Sequence, residues 1–241
     1  MKKLCAVLAI TLLAGCSKKE EPPKGIEPEP PKYTLEQWKS DFKSSFEATR
    51  VKNNKDGVTE FIACFKKEEK GCPMLAFGET DGFRAVSHFT PPNTQLKSIA
   101  DAWSFFRVYV SALECKAPAI IMTPTFSSRN GWIFMDKAAI MSDGEVTLKQ
   151  SFENFKVDRE TEGGRVLEKV TWILSEDQVA SLRKTLEAKR IIMRISGSKG
   201  YYTIKKENED GFREDASIAL FIYDALMKKM KVNGGPECQK N

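Results

Sequence analysis

Read for the spacing of its apolar residues, the chain separates into a helical beginning, a strand-rich middle and a helical end. Thr34 with Gln37 forms a capping box, and Leu35, Trp38, Phe42 and Phe46 recur at near-helical intervals, which predicts a helix over 35–48. Asp56 is placed to cap a second helix, with Val58, Phe61, Ile62 and Phe65 on one face. Ile99, Trp103, Phe106, Val110 and Leu113 suggest a third, ending before Pro118. Ser175 and Gln178 repeat the capping box ahead of Val179, Leu182 and Leu186. A last helix over about 212–231 carries Ile218, Phe221, Ile222 and Ala225 on one side, with Lys228, Lys229 and Lys231 where cations suit the helix dipole.

Between these segments the period shortens to two and tight-turn pairs become frequent. Asp81-Gly82, Asn130-Gly131, Asp143-Gly144 and Gly163-Gly164 each lie between runs rich in β-branched and apolar residues, the strongest local signal for a β-hairpin. The runs RIIMRIS and YYTIK bracket a further turn, GSKG. Hairpins make antiparallel pairs, and helices gathered near the chain ends do not alternate with strands as βαβ units do. The expected class is α+β, an antiparallel sheet or sandwich with helices packed on it.

The N-terminal segment follows another logic. Met1, Lys2 and Lys3 precede an apolar run from Leu4 to Ala14, too short for a membrane span, which needs ~20 residues. Leu13, Ala14, Gly15 and Cys16 read Leu-Ala-Gly-Cys, which resembles the lipobox of bacterial lipoproteins. The resemblance implies cleavage before Cys16, lipidation of its thiol and acylation of its new amine, and covers only about the first 20 residues. It gives residues 1–15 as signal peptide and implies a protein held in the membrane through a lipid anchor. Ser17, where an Asp would retain an enteric-type lipoprotein in the inner membrane, points to the outer membrane facing the periplasm. The segment SKKEEPPKGIEPEPPK cannot bury enough surface to fold. Residues 16–32 are therefore the lipidated cysteine and an extended tether of ~3.1 Å per residue. Residues 33–241 remain as one globular domain.

Charge and cysteine content narrow the function. Removing Lys2 and Lys3 with the leader lowers the formal net charge from +5 to +3, with the lysines scattered, which is not a nucleic-acid footprint. Of six cysteines, Cys5 leaves with the leader and Cys16 is lipidated; Cys64, Cys72, Cys115 and Cys238 remain. In an oxidising compartment these read as two disulfides, with Cys64–Cys72 and Cys115–Cys238 as the favoured pairs. The first pair is close in sequence, and the second would tie down the C-terminal tail.

The search for catalytic chemistry mostly eliminates. His88 is the only histidine, so a two-histidine metal site is impossible, and its setting beside Phe89 reads as a structural or surface strand position. The pattern SxxK occurs at Ser40–Lys43, Ser181–Lys184 and Ser196–Lys199 without the partner motifs of penicillin-recognising enzymes, and is read as chance. KENEDG, residues 206–211, hints at a calcium loop, but Lys206 stands at the first ligand position and Ser217 at the last. Asp-Gly-Phe-Arg occurs at both 81–84 and 210–213, and turn chemistry accounts for each. No catalytic, cofactor or metal residue is assigned. The expectation is a periplasmic domain that binds an envelope protein, glycan or lipid without catalysis; the alternative is an envelope hydrolase built on paired carboxylates.

Overall fold

The computed structural model describes residues 33–66, 71–72, 74–95, 104–230 and 238. The fold is α+β, built on antiparallel sheets with helices near both ends of the domain. Helix α1 spans Leu35–Lys43, and strands β1 to β6 follow at Glu47–Asn53, Val58–Cys64, Leu75–Asp81, Val86–Thr90, Phe105–Leu113 and Ala119–Ser128. Strands β7 to β11 are Met135–Ser142, Glu145–Ser151, Asp158–Glu162, Arg165–Lys169 and Trp172–Ile173. Helix α2 (Glu176–Glu187), β12 (Ile191–Gly197), β13 (Gly200–Thr203) and helix α3 (Glu207–Met230) complete the order.

The strands form two sheets. The larger runs β1-β2-β3-β4-β5-β6-β10-β9, with β11 also paired to β6; the smaller runs β13-β12-β7-β8. Every pairing is antiparallel. Helix α3 lies on β4, β5 and β6, α2 lies on β7 and β8, and both α1 and α2 touch α3. One continuous apolar cluster fills the space between, drawing on residues from Trp38 to Cys238.

Both capping boxes close. Thr34 Oγ1 accepts from Gln37 N–H at 3.2 Å while Gln37 Oε1 accepts from Thr34 N–H at 2.8 Å, and Ser175 with Gln178 does the same at 3.3 and 3.1 Å. Helix α1 ends at Lys43 rather than 48, because the hydroxyls of Ser44 and Ser45 donate to the Asp41 carbonyl and turn the chain out. Phe46 then reaches its aromatic neighbours, Phe42, Phe61, Phe65 and Phe89, from outside the helix.

Two expected helices are strands. Residues 58–64 form β2, with Phe61 and Ala63 buried on one side and Gly57, at φ 79°, opening the turn from β1. Residues 105–113 form β5, in which Phe106, Val108, Val110 and Ala112 are all buried. The ambiguity is geometric: positions four apart share a face in a helix and in a strand alike, and here the β-branched and aromatic content decides for the strand. Ile99 and Trp103, on which the third helix also rested, lie outside the described residues.

The hairpins after Asp81, Asp143 and Gly163 form, as does the one through Ser198-Lys199. Asp143 and Gly144 both have positive φ, 49° and 96°, as the tight two-residue turn between twisted strands requires. Asn130-Gly131 is not a hairpin. It starts the crossover from β6 in the large sheet to β7 in the small one. The carboxylate of Glu168, fully buried, accepts from the backbone N–H of Ile133, Phe134 and Met135 at 2.8, 3.0 and 2.7 Å and from Arg159 Nε at 3.2 Å. Opposite it, a Cβ on Gly197 would meet the carbonyls of Ile133 and Phe134, so glycine lets β12 approach the crossover closely.

Helix α3 begins earlier than the 212–231 expected, and its buried stripe is Phe212, Ala216, Ala219, Ile222, Leu226 and Met230. Ile218, Phe221 and Ala225 flank that stripe half-buried. The chain enters the helix through Glu209, which is buried; desolvation opposes its charge, but hydrogen bonds from Lys206, Arg213 and Ile191 N–H outweigh that and hold its pKa below the ordinary value. None of the described helices is long and apolar enough to cross a membrane.

Candidate functional site on the open face of the large sheet

Alternation along β5 gives the large sheet two unlike faces. Phe106, Val108, Val110 and Ala112 point toward α3, which leaves Arg107 and Tyr109 on the opposite side. The registers carry that opposite face across neighbouring strands. Lys52 pairs with Glu60, Glu60 with Glu79, Glu79 with His88, and His88 with Ser111. Ile62 pairs with Phe77, Tyr109 with Ile121 and Arg107 with Thr123. Side chains opposite each other in such ladders are near neighbours.

Of these residues, Lys52, Glu60, Ile62, Phe77, Glu79, His88, Arg107, Tyr109 and Thr123 line a cavity of about 550 Å³, together with Arg50 of β1, Thr94 and Gln95 of the helical turn after β4, Lys169 of β10, and Thr171. Arg50 on β1 and Lys169 on β10, six strands apart in the sheet order, both line this one cavity. Strand β1 carries a bulge there: the register slips between Thr49 and Lys52, Arg50 takes φ 52°, and both Arg50 and Lys52 reach the cavity.

A buried carboxylate holds the turn that brings Thr94 and Gln95 to the cavity. Asp215 of α3 accepts from Asn93 N–H and Asn93 Nδ2, each at 3.2 Å, which fixes the 92–95 turn. Thr94 Oγ1 accepts from Val108 N–H at 3.3 Å, replacing the ladder bond that β4 no longer supplies. Burial raises the Asp215 pKa, against the hydrogen bonds from Thr94 and Asn93.

Within the cavity the polar groups are unevenly satisfied. Glu60 accepts from Lys52 at 3.4 Å and from Asn54 Nδ2 at 2.9 Å, and Lys169 donates to Glu160 at 2.8 Å. Arg107 lies 5.2 Å from the Phe105 ring. His88 meets Tyr109 edge-on with centroids 5.6 Å apart, and its Nδ1 is buried with no hydrogen-bond partner among the described residues. Burial pushes the imidazole pKa down; Glu79 pulls it up, Arg84 pushes it down and Asp81 pulls it up. Burial likewise raises the Tyr109 phenol, opposed by its hydrogen bond with Thr123 and by the charge of Arg107.

The residues singled out from the sequence fall elsewhere. Cys16 lies outside the described residues. Cys64 is bonded to Cys72 and Cys115 to Cys238, with Cα atoms 5.7 and 5.0 Å apart, and neither bridge lines the cavity. The three SxxK pairs are dispersed over α1, α2 and the β12–β13 turn. KENEDG is not a loop, since residues 207–211 are the first turns of α3. Among the described residues no three His, Cys, Asp or Glu side chains come together as a metal site.

Arg107, Tyr109, Glu79 and the cavity itself escaped sequence reading. The signal was the phase of FFRVYVSAL, in which Arg and Tyr occupy the positions between the core residues. It is visible only once the segment is read as a strand. Comparison with protein families, curated proteins and solved structures finds no match to the chain.

Proposed function

We propose that the protein is a cell-envelope lipoprotein, anchored by lipid on Cys16 in the outer membrane and facing the periplasm, whose domain from residue 33 binds an envelope protein, glycan or lipid. The observation that carries the binding half of this reading is the cavity on the open face, which presents Arg107, His88 and Glu79 beside Tyr109, Phe77 and Ile62. Binding sites pair an apolar surface with a few placed polar groups in this way. The anchoring half rests on Leu13-Ala14-Gly15-Cys16 and the proline-rich tether.

A hydrolase using paired carboxylates is the second reading, and one observation favours it. Glu60 and Glu79 are cross-strand neighbours on the cavity floor. Both side chains are exposed, however, and Glu60 is engaged by Lys52 and Asn54. A general acid depends on withdrawal from water, which neither position provides.

The test is retention of envelope components on the immobilised domain from residue 33. The binding reading expects a retained component that is lost when Arg107→Glu and Lys169→Glu are combined. Turnover of glycan or ester substrates that disappears in Glu60→Gln or Glu79→Gln, with nothing retained, would reverse the order of the two readings.

A further inference from the structure

We infer that the open face of the large sheet binds an amphiphilic anion, with a carboxylate or phosphate head at Arg107 and an apolar body along Tyr109, Phe77 and Ile62. This rests on the binding reading above and specifies its ligand class. The argument comes from how charge is distributed along the strands. The row containing Glu60, Glu79 and His88 meets β5 at Ser111, and Arg107 lies four residues away on the same strand. At ~3.3 Å per residue the two rows are ~13 Å apart. An anion at the first row would face two carboxylates. At the second it faces a guanidinium, whose planar fork matches carboxylate and phosphate oxygens.

The Arg107 end has further donors. Thr123 is directly opposite Arg107, and Thr171 and Lys169 line the same cavity, Lys169 with its ammonium on Glu160. Arg50, a second guanidinium lining the cavity, lies on β1 between the Ile62 and Glu60 rows rather than at the Arg107 end, and Lys52 beside it is held by Glu60. Between the two rows the surface is mostly apolar and aromatic: Tyr109 lies midway along β5, and Phe77, between Thr90 and Ile62, lies one pleat from Glu79 and Glu60. The Tyr109 phenol stays protonated, so it adds no anion to repel the head. A compact inorganic anion would use only one end of this arrangement. An anion with an apolar body uses both parts.

The test uses residues 33–241 with disulfides intact, a piece whose described core is drawn entirely from within it. Decanoate, decyl phosphate, decyltrimethylammonium and acetate are titrated by calorimetry, each below its micelle concentration, and shifts are mapped by heteronuclear NMR. Decanoate or decyl phosphate should saturate at least ~10-fold more tightly than both decyltrimethylammonium and acetate, with shifts at Arg107, Tyr109 and Phe77. Arg107→Gln should weaken the anion ~10-fold or more, and Arg107→Lys, which keeps the charge but not the fork, should weaken it less.

Vesicles with and without an anionic phospholipid, set against free decanoate, separate a lipid head group from a free acid as the source. Equal binding of the cationic amphiphile, or unchanged anion affinity in both Arg107 variants, overturns the inference. Should Arg107→Gln melt early, Lys169→Gln serves in its place, and an unchanged anion affinity in that variant overturns it as well. If neither anion binds while an envelope protein or glycan fraction still shifts Tyr109 and Phe77, the ligand class fails and the binding reading stands. If no fraction shifts this face, the binding reading fails too.

Discussion

The two faces of the large sheet are made by adjacent residues and follow opposite rules. On β4, Phe89 is fully buried among Phe42, Phe46, Phe61 and Phe65, while the next residue back, His88, opens on the cavity with a buried nitrogen that has no partner among the described residues. The same contrast holds for carboxylates. Glu168 is withdrawn from water and takes four hydrogen bonds; Glu79 and Glu60 are exposed on the cavity floor. Glu168 is satisfied from within the chain, as burial demands, whereas Trp38 Nε1 and Asp136 Oδ1, also away from the cavity, are buried with no partner among the described residues. On the open face Glu79, His88 and Arg107 line the cavity instead.

The contrast should appear first in stability. Phe89→Ala should cost about 3–5 kcal/mol in urea unfolding, because four neighbouring rings cannot all collapse into the space left. His88→Ala, one position away, should fall within ~0.5 kcal/mol of wild type, as substitutions off the core do. Similar losses from the two variants would break the distinction between the faces.

Glu168→Ala should cost a comparable ~3–5 kcal/mol, since it strands three backbone N–H groups and the Arg159 guanidinium together. Removing the Cys115–Cys238 bridge with paired serines should cost somewhat less, ~2–4 kcal/mol, and should leave anion affinity unaltered, because neither cysteine lines the cavity. A bridge variant that also lost binding would show that the tail shapes the open face. Arg107→Gln should do the reverse, with little change in melting and a large loss of ligand.

The smallest effect is on protonation. His88 is the only histidine, so its ring resonances are unambiguous, and their midpoint should lie below the ordinary 6.5 because burial disfavours the charged form. The corresponding stability is fully present above 6.5 and is lost as pH falls from there through the lowered folded value. A midpoint above 6.5 in the free protein would show that Glu79 and Asp81, not burial, govern the ring.

Much of the secondary structure was legible because its signals are local. Thr34 with Gln37 and Ser175 with Gln178 marked two helix starts, and Asp143-Gly144 and Gly163-Gly164 marked two hairpins, since a cap or a tight turn is decided within four residues. Errors arose where the deciding partner is distant. Phe106 and Val110 satisfy a helix and a strand equally until β4 and β6 are present to pair with them. Asn130-Gly131 has a hairpin's residues but not its outcome, because Glu168, some 35 positions on, captures the crossover. The cavity was illegible for the same reason: its residues come from positions 50 to 171 and are gathered only by the pairing of the strands.

The most direct test of the account is site-specific photo-crosslinking in the cells that make the protein. A benzophenone side chain would be placed in turn at Tyr109 and Phe77 on the open face, and at Val146 and Ile173, which are exposed elsewhere. The account predicts a shared adduct from Tyr109 and Phe77 that is absent from Val146 and Ile173 and that disappears with Arg107→Gln. Adducts formed equally from all four positions, or only from Val146 and Ile173, would contradict the claim that the open face of the large sheet is where this protein meets its ligand.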